Sequence, residues 1–150
     1  MADRNVQIDD RELIAALQRL AGRVGDMRPV FDDIGELLLK STKRRFETTS
    51  DPDGNEWAGN SEATIARKGR DWALTGETGQ LMDSLFAAAF ADRAELTSPM
   101  EYAAMQQFGG TKAEFPHLWG DIPARPFMGL SQDDELAALT VISRYLEESV

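Results

Sequence analysis

Apolar residues recur at every third or fourth position in three stretches of the chain, and this spacing predicts three amphipathic helices. The first covers residues 9–24, where Asp9 followed by Glu12 resembles an N-terminal capping signal. The second covers residues 29–46, and the third covers residues 131–148 and begins at its capping serine. The residues expected on the inner faces are Leu13, Ile14, Leu17, Leu20, Ala21, Val24, Val30, Ile34, Leu37, Leu38, Phe46, Leu136, Leu139, Ile142, Tyr145 and Leu146.

The middle of the chain carries shorter patterns. Residues 86–90 and 94–97 predict the two strands of a β-hairpin, and short helices are predicted over 61–68 and 80–85. The run Ser98-Pro99-Met100-Glu101 combines a capping serine, a proline at the first helical position and a glutamate three residues after the cap. It predicts a helix that ends at Phe108, where Gly109 can take the left-handed conformation.

Together these elements predict a single α+β domain over residues 1–150. Two N-terminal helices and a C-terminal helix pack on a small, mainly antiparallel sheet. Two extended loops are expected at about 48–60 and 109–130. The first is a polar turn region with the isolated Trp57 as its anchor, and the second contains an exposed stretch over 111–121.

Composition narrows the possible functions. The chain has 150 residues, 42% of them hydrophobic, no cysteine and a formal net charge of −10. The chain is therefore long enough and apolar enough to bury a hydrophobic core. Disulfides and cysteine-ligated zinc are excluded. The negative charge disfavours wrapping nucleic acid. No apolar run approaches the roughly 20 residues that cross a bilayer, and the N-terminus lacks a secretory pattern, so we expect a cytoplasmic protein.

A calcium loop is the first candidate site. Asp51, Asp53, Asn55 and Glu62 stand at positions 1, 3, 5 and 12 of the EF-hand template. Position 6, however, is Glu56 where the template requires glycine. A simple Asp-Pro-Asp-Gly turn before a buried tryptophan is the favoured interpretation.

Catalytic chemistry has little support in the sequence. His117 is the only histidine, and nothing places a nucleophile beside it, so a loop histidine is favoured. Carboxylate pairs are too numerous to carry a specific hypothesis. We therefore predict no catalytic residue, no metal and no cofactor.

The basic run Lys40, Lys43, Arg44 and Arg45 leaves two interpretations open. The residues could contact phosphates. The favoured alternative is that they complement the C-terminal end of their helix and pair with acidic neighbours, in this chain or an adjacent subunit.

Arg125 lies between Pro123 and Pro126, which restrict its backbone and so lower the entropy cost of a fixed contact. Its guanidinium is suited to pair with a carboxylate, and two interpretations are open. The carboxylate belongs to a neighbouring copy, or it lies in the same chain, where the salt bridge fixes the loop to the last helix. Gln106 and Gln107 also have two interpretations: hydrogen bonds to backbone across a subunit boundary, or an exposed helix end.

Several of these runs, in this order, resemble the virion morphogenesis and tail-completion family of Mu-like and related tailed phages. The resemblance begins at about Val30 and extends into the C-terminal helix. The matching runs are Phe46, Pro52-Asp53-Gly54 with Trp57, Leu74-Thr75-Gly76, Thr78-Gly79-Gln80-Leu81 with Ser84, Tyr102 to Gly110, and Ile122 to Ser131.

The resemblance implies a structural protein without catalytic residues, which completes the tail end or neck so that heads and tails join. It implies a homo-oligomeric ring, with a hexamer as one candidate, next to connector or neck proteins and tail terminator or tail tube proteins. The ring would enclose DNA without binding it specifically, inside virions assembled in the bacterial cytoplasm and away from membranes. The expected interface residues are Trp57, Gln106, Gln107, Phe108, Arg125, Pro126 and Phe127.

Two other classes of protein are compatible with the composition. One is a small acidic cytoplasmic hydrolase, which would show clustered carboxylates with raised pKa values in a cleft. The other is an acidic binding or inhibitor module that mimics DNA, which would show one continuous acidic face.

Overall fold

A computed structural model of the chain describes residues 10–59, 80–100, 102–118 and 120–149. The elements run in the order α1 (Arg11–Ala21), α2 (Arg28–Thr48), α3 (Gln80–Ser84), β1 (Phe86–Ala89), β2 (Ala94–Thr97), α4 (Ala103–Phe108) and α5 (Gln132–Glu148). The predicted α+β class is confirmed. The helix predicted over 61–68 and the Thr-Gly runs over 74–79 lie outside the described residues.

The chain divides into two compact units. Among the described residues, the three-helix unit contains 10–41, 86–97 and 130–149. The loop unit contains 42–59, 80–85, 98–100, 102–118 and 120–129. That residues 1–150 form one domain stays a prediction.

The first helix of the three-helix unit begins one residue later than its sequence signal. The carboxylate of Asp10 caps α1 by accepting a hydrogen bond from the Leu13 amide at 3.0 Å. The cap is thus Asp10 and not Asp9, because the amide that needs a partner lies three residues after it. The helix ends at Ala21 before Gly22, so Val24 packs against the core from outside the helix.

Most of the predicted inner residues lie in the core of this unit or pack against it, but five do not. Ala21 is exposed, Leu37 is half-buried outside the core cluster, and Phe46 is buried in the loop unit. Ile14 is 39% exposed and Leu136 is 58% exposed. The buried positions of α5 are Asp134, Ala138 and Ile142, four residues apart. Leu136 lies two positions from Asp134, about 200° around the helix, and therefore faces away from the core. The buried core residues are Leu13, Ala16, Leu20, Met27, Val30, Phe31, Ile34, Ala138 and Ile142.

The hairpin of the three-helix unit has the predicted antiparallel pairing, from Phe86 opposite Thr97 to Ala89 opposite Ala94. Ala89 and Ala94 pack against the helical core. A β-carbon at Gly35 of α2 would lie 3.3 Å from the Ala87 side chain. Small residues on both sides therefore let helix and strand approach closely, which explains the alanine-rich strand.

Ser131 caps helix α5, as predicted. The serine hydroxyl accepts from the Asp134 amide and the Asp134 carboxylate accepts from the Ser131 amide, each at 3.0 Å, which completes a capping box. Near the other end of the helix, the Tyr145 hydroxyl donates to Asp33 of α2 at 2.6 Å. This hydrogen bond raises the pKa of Tyr145, because it favours the protonated phenol.

The packing of α1 on α5 brings three carboxylates together. The hydrogen bond to Asp10 and the nearby charges of Asp10 and Glu12 raise the pKa of Glu135. A raised pKa in the folded state gives stability that is present below the unfolded pKa and is lost as the pH rises through the folded pKa. We therefore expect the unfolding temperature to increase as the pH falls from 7 towards the ordinary carboxyl pKa of 4.5. Glu135→Gln should raise the unfolding temperature at pH 7 and flatten this dependence in differential scanning calorimetry.

Glu36→Gln removes the same charge from an exposed position on α2 and serves as the control. If both variants changed the pH profile equally, the effect would come from net charge and not from the Glu135 cluster.

In the loop unit, α4 begins at Ala103, later than its sequence signal predicts. Ser98 does not cap this helix. Its hydroxyl accepts from the Met100 amide at 3.2 Å and pairs with the Ser84 hydroxyl at 2.8 Å. The serine therefore closes a local turn, an alternative that serine side chains offer the backbone.

No helix within the described ranges is both long enough and apolar enough to span a lipid bilayer.

Candidate functional site

Residues 125–129 of the loop unit, called here the clamped segment, form neither helix nor strand. They begin in the Pro-Ala-Arg-Pro-Phe run, where proline removes a backbone donor and disfavours helix. A segment of this kind needs partners for its backbone groups outside any sheet. Three side chains from distant parts of the sequence supply them: Arg45, Trp57 and Gln107.

Trp57 reaches the clamped segment from the loop after α2. Its indole Nε1 donates to the Pro126 carbonyl at 2.8 Å. Its ring meets Phe46 edge-on at 5.5 Å, and Phe46 lies 5.5 Å from the Phe127 ring. All three aromatic residues are buried. The prediction that Trp57 anchors its loop is confirmed.

The turn that precedes Trp57 is held by its own first aspartate. Asp51 Oδ1 accepts from the Asp53 amide at 2.9 Å and from the Asn55 amide at 2.8 Å. Gly54 has a φ of 88°, in the region that favours glycine. The favoured interpretation as a turn is confirmed. Glu62, the last position of the calcium template, lies outside the described residues.

Gln107 holds the clamped segment from α4. Its Oε1 accepts from the amides of Phe127 and Met128, both at 2.9 Å, and its Nε2 donates to the Met128 carbonyl at 3.0 Å. The side-chain amide thus takes the place of a neighbouring strand, since it offers the same donor and acceptor groups. The Gln107 side chain thus binds backbone of its own chain and is buried, so it fits neither the contact across a subunit boundary nor the exposed helix end.

Arg45 binds the other side of the segment. Its Nη1 donates to the carbonyls of Phe127 at 2.8 Å and Gly129 at 3.3 Å. Sequence reasoning placed this residue in a basic run at a helix end and missed its role. The signal was available: Ile34, Leu38, Thr42 and Arg45 follow one another at helical spacing, so Arg45 continues the inner face of α2.

Arg125 is buried and lies at the start of the segment. Its Nε donates to the Ala58 carbonyl and its Nη2 to the Gly59 carbonyl, both at 2.8 Å. Its own amide donates to the Gln106 carbonyl at 2.7 Å. Arg125 therefore fixes the loop after Trp57, a role that neither sequence interpretation named.

Gly109 closes α4 beside the clamped segment. Its φ of 70° agrees with the predicted positive value, but its ψ of −179° differs from the left-handed helical conformation expected. Only glycine adopts this combination readily. A β-carbon here would lie 2.6 Å from the Ala124 nitrogen, so the close approach of the Ala124 backbone is a second reason for glycine at this position.

A groove of about 380 Å³ opens next to Gly109. It is lined by Phe108, Gly109, Gly110, Thr111, Glu114, Asp121, Ile122, Pro123 and Ala124. Its two carboxylates are already engaged: Glu114 accepts from the Thr111 hydroxyl and Asp121 accepts from the Lys112 amide. Gly110 and Ile122 form a β-bridge that closes the loop over 111–121, whose exposed residues match the prediction.

The seven predicted interface residues all belong to the loop unit, and contacts among them converge on the clamped segment. Four are buried and three are half-buried. The buried ones are Trp57, Gln107, Arg125 and Phe127, and the half-buried ones are Gln106, Phe108 and Pro126. They shape the segment from within, and their participation in an interface stays a prediction.

Chemical machinery is sparse in the described residues. In these ranges no group of three or more histidine, cysteine, aspartate or glutamate side chains is arranged to hold a metal ion. His117 is exposed and its ring meets Phe115 edge-on at 6.3 Å. The polar side-chain atoms that converge on the clamped segment bind its backbone. This arrangement therefore fixes the conformation of the segment.

Comparison with known proteins gives consistent results. The sequence matches the phage virion morphogenesis family over residues 8–147. A protein of Escherichia phage Mu that is named as capsid assembly protein G is 36% identical over 138 residues, which cover 89% of this chain and 87% of that protein. The Mu-like prophage FluMu G protein 2 of Haemophilus influenzae is 28% identical over 137 residues, 91% of either chain. No solved structure matches the chain significantly.

Proposed function

Since this chain belongs to the phage virion morphogenesis family, we propose that it is a structural protein that completes the tail end or neck and lets heads and tails join. The observation that carries the proposal is the family match over nearly the whole chain. The relative from phage Mu is named for capsid assembly, which supports a role in building the particle. The proposal assigns no catalytic activity to the chain.

The loop unit supports a structural role through what its polar groups do. Arg45, Trp57 and Gln107 are committed to the backbone of the clamped segment. Such side chains hold a surface in one conformation, which lowers the entropy cost of docking. We infer that the exposed residues next to the segment, Pro123 and Ala124, present this surface to a neighbour.

The proposed assembly is a homo-oligomeric ring around the DNA channel, in contact with connector or neck proteins and with tail terminator or tail tube proteins. A net charge of −10 suits a ring through which DNA must pass, because like charges prevent the duplex from adhering. A ring also requires two different patches on each copy that meet around a closed axis.

Electron microscopy of phage particles produced without this chain tests the proposed role. We expect filled heads beside unattached tails, and restoration of joined particles when the wild-type chain is supplied from a plasmid. Normal, infectious particles in its absence would contradict the proposal. Heads that fail to form at all would place the chain at an earlier step of capsid assembly.

A further inference from the structure

Among the residues that the structure describes, none pairs with the backbone groups at the two outer edges of the hairpin in the three-helix unit. The Phe90 amide donates to the Arg93 carbonyl at 2.8 Å, so this pair is hydrogen-bonded. Hydrogen-bonded and non-hydrogen-bonded pairs alternate along an antiparallel ladder. Ala88 and Glu95 are therefore a hydrogen-bonded pair, whereas the pairs on either side, Ala87 with Leu96 and Ala89 with Ala94, are not. The amides and carbonyls of Ala87 and Ala89 point out from β1, and those of Ala94 and Leu96 point out from β2. Within the described ranges, β1 pairs only with β2.

The two edges differ in charge. Strand β1 is Phe-Ala-Ala-Ala and carries neither a charged residue nor a proline, the usual protections of an exposed edge. Strand β2 carries Glu95. Glu95 is paired with Arg93 at 2.8 Å, so charge alone does not choose the partner edge. A ring does choose it, because β1 on β1 or β2 on β2 is a twofold contact that stops at two copies, whereas β1 on β2 repeats around an axis.

The directions of the strands also suit a closed ring. Because β1 and β2 are antiparallel, rotation about one axis places the β2 edge of each copy antiparallel to the β1 edge of the next. Repetition of this contact joins the hairpins into a continuous antiparallel sheet, and its closure removes every free edge. A two-stranded sheet is itself marginal, so added strands would stabilise it.

We propose that the β1 edge of one copy of this chain pairs with the β2 edge of a second copy, so that the hairpins form the heterologous contact of the oligomer. This inference rests on the proposed function for the existence of a ring, and adds the surface that builds it. The residues on the solvent face of the hairpin would then lie side by side between copies. Phe86, which is 48% exposed, would gain a neighbour there.

Cysteine cross-linking tests the pairing, because the chain has no cysteine of its own. Ala88→Cys on β1 and either Glu95→Cys or Thr97→Cys on β2 are made in separate chains that carry tags of different mass. All three positions share one face of the hairpin. After mixing and mild oxidation, we expect disulfide-linked heterodimers of a β1 variant with a β2 variant. Ser143→Cys, exposed on α5, measures cross-linking by random collision.

Disulfide homodimers of Ala88→Cys would indicate twofold pairing of β1 with β1 and would overturn the inference. Cross-linking at or below the Ser143→Cys level would overturn it as well, and so would a wild-type chain that stays monomeric in sedimentation velocity.

An edge variant gives an independent measurement. Ala89→Pro removes an amide that points away from β2, so the hairpin keeps its internal hydrogen bonds. In sedimentation velocity we expect a chain with wild-type helical circular dichroism that no longer oligomerises. Wild-type oligomers of a folded Ala89→Pro chain would contradict the inference, and if this variant does not fold, the cross-links decide. Any of these failures leaves the proposed function intact when particles made without the chain still show unattached tails.

Discussion

Replacing Gly109 with alanine is expected to lower the free energy of unfolding of the loop unit by roughly 4 kcal/mol, the sum of backbone strain and steric overlap. At φ 70° and ψ −179°, the residue occupies a region that is strained for any side chain. A β-carbon would also lie 2.6 Å from the Ala124 nitrogen and 2.8 Å from the Ile122 oxygen. Both are backbone atoms, so no rotation of a side chain relieves the contact.

Two other glycines separate these contributions. Gly54 has a φ of 88° but no atom within 4 Å of its missing β-carbon, so Gly54→Ala reports backbone strain alone. Gly120→Ala has open space and no positive φ, and should be nearly neutral. Urea unfolding followed by circular dichroism should rank the losses in the order Gly109, Gly54, Gly120. Equal losses at Gly109 and Gly54 would show that the backbone moves aside at no cost.

The requirement for Gly109 illustrates what the sequence could and could not predict. A glycine after an apolar helix is a local stop signal, and the helix does end there. The close approach of the Ala124 backbone, fifteen positions later by residue number, is a second reason for glycine that no local pattern records. In the same way, the three long helices were predictable from apolar spacing, whereas Ser98 used its hydroxyl for a turn and not for a cap.

The candidate site was only partly predictable, for a related reason. The sequence singled out Trp57, Gln107, Arg125 and Phe127 as members of one functional set, and the structure brings them together. Their partners were not predictable, because these side-chain hydrogen bonds cross from 20 positions of chain, between Gln107 and Phe127, to 84 positions, between Arg45 and Gly129. An arginine or an amide that binds carbonyls leaves no sign of its acceptor in the sequence, since every residue carries one.

Family membership came from the resemblance of ordered motifs and not from physical patterns. The charge and the absence of cysteine excluded some classes of protein, but they did not select phage assembly among those that remained. The spacing of apolar and polar residues indicates instead which residues make specific contacts. In the loop unit these contacts converge on backbone, which is consistent with an assembly part and gives each contact a measurable effect on stability.

Gln107→Ala tests the most concentrated of these contacts, and we expect it to lower the free energy of unfolding by roughly 3 kcal/mol or more, because buried backbone groups that lose their partners cost about 1–3 kcal/mol each. The substitution removes the acceptor of the Phe127 and Met128 amides and the donor to the Met128 carbonyl. Alanine is too short to replace either group. Hydrogen exchange measured by NMR should therefore accelerate at these two amides well before amides of α1 in the three-helix unit respond.

The neighbouring amide provides the matched control. The Oε1 atom of Gln106 is buried without a hydrogen-bond partner among the described residues, while its backbone carbonyl accepts from the Arg125 amide. Gln106→Ala keeps that backbone bond and removes a polar atom that gains nothing from burial, so its cost should stay below about 1 kcal/mol. Equal losses for the two variants would mean that α4 needs bulk at these positions and that the side-chain bonds to Phe127 and Met128 contribute little. A large loss confined to Gln107, with exchange faster at its two partner amides, would establish that one glutamine side chain serves as the missing strand of the clamped segment.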